Sequence, residues 1–142
     1  MIKSFRGLLA DGEEQRIKLS TMKGLVGYKI NKFQVINQNP GSTAVKAVVK
    51  IYKTEQGSVD ALIDFSAPLL LAAAFYEDND SVTYVHGKTI IFDNEIFNQD
   101  IYVTSSEIQG SETMNYYIEL ERVKLSEHEA AVATLKDMRG HE

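Results

Sequence analysis

The chain has 142 residues, of which 44% are hydrophobic and 25% charged, proportions that suit one soluble domain with a real core. Its net charge of -5 argues against a nucleic-acid binder, whose affinity rests on a basic face meeting phosphates. It has no cysteine, which excludes disulfides, thiolate metal sites and cysteine nucleophiles.

The N-terminal stretch "MIKSFRGLLADGEE" holds no apolar run long enough for a signal peptide. It reads as a strand over Ser4–Leu9, followed by Asp11-Gly12, a hairpin signal. In "EEQRIKLS", Ile17 and Leu19 alternate with Arg16 and Lys18. "GYKINKFQVIN" changes phase: Tyr28 and Ile30 share one face, Phe33 and Val35 the other. One extra residue near Asn31 or Lys32 repairs this and predicts a β-bulge; the alternative is a strand with both faces partly buried. Pro40-Gly41 suits the centre of a type II turn.

In "AVKAVVKIYKT", Val45, Ala47, Val49 and Ile51 form an inward face. Lys46, Lys50 and Tyr52 form the other, with the lysines expected in water. The most apolar window, "APLLLAAAFY", is about ten residues, whereas a helix needs roughly twenty to span a bilayer. It reads as a buried strand, Leu69–Tyr76. Strands follow at Val82–Val85, Lys88–Phe92 and Ile101–Ser105, with "EDNDS", "VHGK" and "IQGSE" as polar breaks. In "NYYIELERVKL", Tyr116, Ile118 and Leu120 oppose Tyr117, Glu119 and Glu121. Many short strands at this spacing predict an all-β fold over residues 1–125, an antiparallel β-sandwich of jelly-roll-like type.

Residues 126–140, "SEHEAAVATLKDMRG", change character and predict a C-terminal α-helix. Ser126 and Glu129 form a capping box, and Gly140 supplies a left-handed stop. Ala131, Leu135 and Met138 line one stripe with Val132 beside it. So narrow a stripe must dock, on its own sandwich or on a partner.

Catalytic signatures are missing from this pattern. His86, His128 and His141 have no i, i+4 spacing, and neither a G-x-S-x-G elbow nor a P-loop is present. No enzyme and no cofactor are expected. Asp78 and Asp80, flanking Asn79, match part of a calcium loop, but calcium takes about six to eight oxygens and a solvated turn is the plainer reading. The stretch "IIFDNEIFNQDIYVT" carries Asp93, Glu95 and Asp100, which could act as an acid–base pair if held about 5–10 Å apart. Turn formation by Asp93, Asn94 and Asn98 explains the polar residues more simply. Its apolar pair, Ile96 and Phe97, either plugs the loop from beneath or protrudes into a neighbour. Tyr52 and Tyr117, on the polar faces of their strands, suit protein contact.

The segments "KTIIFDNEIFNQDIYVT" and "NYYIELERVKLSEHEAAVATLKDMRG", and less fully "RIKLSTMKGLVGYKINKFQVI", resemble small proteins of marine tailed bacteriophages, especially those of cyanobacteria and other abundant ocean bacteria. The resemblance brings no catalytic residues. It implies a virion structural protein, in capsid decoration, neck or tail, assembled in the host cytoplasm. Its partners would be copies of itself and other virion proteins, with no nucleic acid and no membrane. The contact candidates are then Tyr52, Ile96, Phe97, Tyr117, Leu135 and Met138. The alternative is a module that recognises a host glycan or receptor, with calcium at Asp78 and Asp80.

Overall fold

The computed structural model describes residues 1–21, 24–40, 44–78, 85–92 and 95–138, with backbone alone at 85, 86, 137 and 138. The elements are β1 (Ile2–Leu9), β2 (Glu14–Ile17), β3 (Val26–Asn37), β4 (Val45–Tyr52), β5 (Leu70–Asp78), β6 (Val85–Ile91), β7 (Ile101–Glu107), β8 (Met114–Lys124) and α1 (Glu127–Met138). They form the expected all-β sandwich. One antiparallel sheet runs β1-β8-β3 and the other β2-β7-β4-β5-β6. No helix among the described residues is long and apolar enough to cross a membrane.

The strand order follows the jelly-roll plan except at β6. Successive strands alternate between sheets until β4, and β5 pairs back on β4. β6 then extends the larger sheet instead of returning to the smaller one beside β3. The place it leaves is partly taken by the β6–β7 connection. There the backbone N–H groups of Tyr28 and Phe97 each donate to the other's carbonyl, at 2.8 and 3.0 Å. Two small inward-facing residues, Ala72 and Ala74, make β5 thin where β3 lies against it.

The inward faces behave as alternation requires. Val45, Ala47, Val49 and Ile51 are buried, facing Ile118, Leu120, Met114 and Phe33 in one core. The bulge in β3 is present: Ile30 pairs with Leu120 and Lys32 with Glu119, leaving Asn31 as the extra residue. A second register shift, unforeseen, lies between Ile51 and Tyr52 opposite β5.

Three turn readings are corrected. Asp11-Gly12 makes no hairpin; it carries the chain from one sheet to the other. Gly12 adopts φ 79, and the Asp11 carboxylate accepts the Glu107 N–H at 2.8 Å, so the turn is fastened to β7. "VHGK" is no break: β6 runs through His86 and Gly87, which pair with Glu77 and Tyr76. Asn98 is no turn cap. It is fully buried, and its side-chain amide donates to the carbonyls of Gly24 and Ala130 and to Thr134 Oγ1. The strand expected at Val82–Val85 lies, but for Val85, outside the described residues, as do Gly41, Asp93, Asn94, Gly140 and His141.

The helix docks on its own sandwich. Its capping box forms, with Ser126 and Glu129 each accepting the other's N–H at 3.2 Å. The buried stripe, however, is Ala130 and Ala133 against Leu25, Ile96, Val123 and Leu125. The expected stripe is on the wrong side: Ala131, Val132 and Leu135 face outward. Small residues win because the helix sits close enough for Asn98 to bond both its backbone and Thr134.

Candidate interaction surface

The longest connection in the fold, residues 53–69 between β4 and β5, builds the most distinctive surface. Connections beyond about 12–15 residues without regular structure are uncommon in compact domains and are often functional. Its base is closed by the Lys53 N–H donating to the Leu69 carbonyl at 2.9 Å. It then folds over the outer face of the five-stranded sheet. The anchor is Lys50, only 2% exposed, whose Nζ donates to Asp60 Oδ1 at 2.9 Å and to the Leu62 carbonyl at 2.5 Å. That is a correction: alternation places Lys50 on the outward face, and the connection roofs that face. A second tie links the Gln56 N–H to the Glu14 carboxylate at 2.8 Å.

Local polar turns stiffen the roof. Asp64 accepts both the N–H and the hydroxyl of Ser66, at 2.9 and 2.6 Å, and these bonds hold its carboxyl below the usual range. The hydrogen bond from Lys50 does the same for Asp60. Asp60 and Asp64 are exposed but tied down by these bonds, and apolar side chains stand open beside them. Leu62 is 75% exposed, Phe65 56%, and Ile63 also lies open. Phe65 stands edge-on to Phe92, ring centroids 5.3 Å apart, and joins the roof to the end of β6. Sequence reading missed this surface, although the run "DALIDFSAP" carried the signal: apolar residues among turn formers.

The expected contact residues scatter. Tyr52 is half-buried on the roofed face, paired with Tyr102, its ring centroid 5.4 Å from Lys50 Nζ. Tyr117 is half-buried on the outer face of the opposite sheet, between Arg6 and Gln34. The two tyrosines cannot belong to one patch. Phe97 is only 1% exposed, packed beside Tyr28 with centroids 6.5 Å apart, and offers no surface; the contact reading is corrected to the plug. Ile96 packs under the helix. Leu135 is exposed as required, and the side chain of Met138 lies outside the described residues.

The carboxylates have structural duties. Asp100 is buried and accepts the N–H groups of Leu19 and Ser20 at 2.7 and 2.9 Å, together with Arg16 Nε at 2.6 Å. Burial pushes its carboxyl up, but those donors outweigh burial and hold it below the usual range. Glu95 pairs with the buried Lys53. Asp78 is buried at the end of β5, opposite Val45 and Val85, as a strand residue rather than a loop ligand. Asp80 lies outside the described residues, and among those described no group of three ligands could hold a metal ion.

No family model matches the chain, and no curated protein does. Weak shape similarity to solved structures includes two of different kinds. One belongs to the Bacillus endospore appendages, a novel family of disulfide-linked pili, at 10% identity, covering 88% of this chain and 89% of that one, with a TM-score of 0.37. The other is a tailspike protein of Acinetobacter baumannii bacteriophage Fri1, a capsular polysaccharide depolymerase, at 8% identity and a TM-score of 0.17; the match spans 78% of this chain but 21% of that one. Likeness at this level carries no argument about function, and the chain stands on its own geometry.

Proposed function

We propose that the chain is a non-enzymatic structural protein of a phage virion, in capsid decoration, neck or tail, that acts by burying surface against other proteins. One observation carries this reading. A long connection is braced by a buried lysine so that Leu62, Ile63 and Phe65 point outward. Exposing large apolar groups costs solubility, and a fold that fixes them there presents them to a partner. The resemblance to marine phage proteins supplies the setting.

The test is mass spectrometry of purified particles of the phage that encodes the chain, with the wild type and a Leu62→Ser/Phe65→Ser double variant. The wild type is expected in particles at a fixed stoichiometry, and the double variant, with unchanged melting temperature, is expected to be depleted. A protein that is expressed yet missing from particles overturns the reading. The glycan-recognition alternative predicts a calcium-induced rise in melting temperature or retention on a glycan array.

A further inference from the structure

Four strands end the two sheets: β1, β3, β2 and β6. Folded proteins guard such edges with charge, bulges, short length or a covering segment, because the unpaired N–H and C=O groups invite another strand. Three of the four are guarded here. β1 carries the exposed Lys3 and Arg6, and Gln15 Nε2 donates to its Leu8 carbonyl at 2.6 Å. β2 has four residues and presents Arg16. β3 is bulged at Asn31 and bridged by Phe97 at Tyr28.

β6 differs. Its one charged side chain is the exposed Lys88; it pairs with β5 from Val85 to Ile91 without a register shift, contains no proline, and among the described residues no strand lies on its far side. Gly87, Lys88, Thr89 and Ile90 are all exposed, so along this run neither face is covered by the described residues. Pairing places Ile90 beside Ala73, and Ala73 beside Lys50, which puts Ile90 on the roofed side of the sheet. There Phe92 and Phe65 continue the apolar strip. The segment "VHGKTIIF" contains no carboxylate, in a chain whose net charge is -5. Two like-charged copies approach with least repulsion along such a strip.

Resting on the structural reading above, we infer that β6 is the self-association edge: two copies pair their β6 strands antiparallel about a two-fold axis and join their five-stranded sheets into one. A two-fold contact must be self-complementary, and charge rules against one register. Centring on Lys88 would set two lysines against each other, which is unfavourable directly across a strand pair. Centring on Thr89 keeps Gly87–Ile91 in register and sets Thr89 against its own copy, a favourable cross-strand pair. Lys88 then lies against the second copy's Ile90, and Gly87 against the second copy's Ile91, where the missing side chain gives the isoleucine room.

The experiment uses the full chain. The molecule has no cysteine, so Thr89→Cys introduces a single thiol whose Cα would lie about 4.5–5.5 Å from its counterpart, within disulfide reach. Under mild oxidation it is expected to give a covalent dimer much faster than Lys3→Cys on the β1 edge. Sedimentation velocity across a concentration series then compares Ile90→Lys with Ile90→Glu. The first sets lysine against the second copy's Lys88 twice per dimer and is expected to weaken dimerisation by about tenfold. The second sets a carboxylate there and is expected to preserve or tighten it. Melting temperatures of the variants, matched to wild type, show that each still folds. A wild type that stays monomeric at every concentration overturns the inference. So does a dimer indifferent to the sign of the charge at position 90, or a Thr89→Cys crosslink no faster than the control. If any of these occurs while the protein is found in particles, the β6 edge fails and the structural reading stands; absence from particles removes the reading itself.

Discussion

Two connections leave the larger sheet with nearly the same ingredients and meet opposite fates. Residues 53–69 set "LIDF" among turn-forming polar residues, and residues 92–100 set "EIFN" in a similar frame. In the first, Leu62 and Phe65 stay in solvent while the buried anchor is a lysine. In the second, Phe97 is fully buried and its flanking Asn98 and Asp100 are buried with it. The difference lies in what each connection crosses. The first runs over a finished sheet face, where a roof can only lie on top. The second crosses the place beside β3 that β6 leaves empty, and a side chain falls into it. An apolar pair in a polar loop becomes core or surface according to whether the sheets beneath it leave a hole.

Truncation should separate the two most sharply. Phe97→Ala is expected to cost about 3–5 kcal/mol in urea unfolding, the usual range for a buried aromatic, whereas Phe65→Ala should stay within about 1 kcal/mol of wild type. Equal losses would collapse the distinction between plug and roof. Next comes Asn98→Ala, which leaves buried acceptors on Gly24 and Ala130 without their donor. About 1–3 kcal/mol is expected, with faster amide exchange in α1 than in the sheets. For the roof, Asp60→Ala strips the buried Lys50 of its carboxylate and should lower stability by about 1 kcal/mol. Its clearer readout is limited proteolysis: cleavage within residues 55–66 should accelerate while the rest of the chain resists. The smallest effect is one of pH. The folded Asp100 carboxyl lies below its unfolded value of about 3.9, so its contribution is full above about pH 5 and is lost as pH falls through the lower, folded value. Asp100→Asn should therefore flatten the acid limb of a stability–pH curve.

Much of the fold was legible because its causes are local. Alternation in β4 and β8 follows from the pleat, the phase change near Asn31 is repaired by one extra residue, and the capping box is a contact between neighbours. What stayed hidden depended on distant segments. Lys50 sits where alternation puts it, but nothing near it in sequence announces the roof supplied by Asp60 and Leu62. Asp11-Gly12 has hairpin chemistry, yet which sheet receives the next strand is decided by β7, almost a hundred residues on. The helix buried Ala130 and Ala133 rather than Leu135 because Asn98 draws it close, a tertiary preference that outweighs hydrophobicity. Of the expected surface, only Leu135 among the described side chains remains open to solvent, because half-burial, plugging and docking each depend on a neighbour from elsewhere in the chain.

The order of strands also sets a timetable. β8 lies between β1 and β3, and β7 between β2 and β4, so in each sheet a strand that joins two others is among the last segments to be synthesised. Until β8 emerges, β1 has no strand beside it and β3 only the bridge to Phe97, and the apolar faces of Phe5, Phe33 and Val35 wait without the strand that pairs with them. Closing such distant pairs is slow, and the waiting strands are open to aggregation. Expression yield should therefore depend on temperature and chaperone supply more steeply than the equilibrium stability of the finished sandwich would suggest.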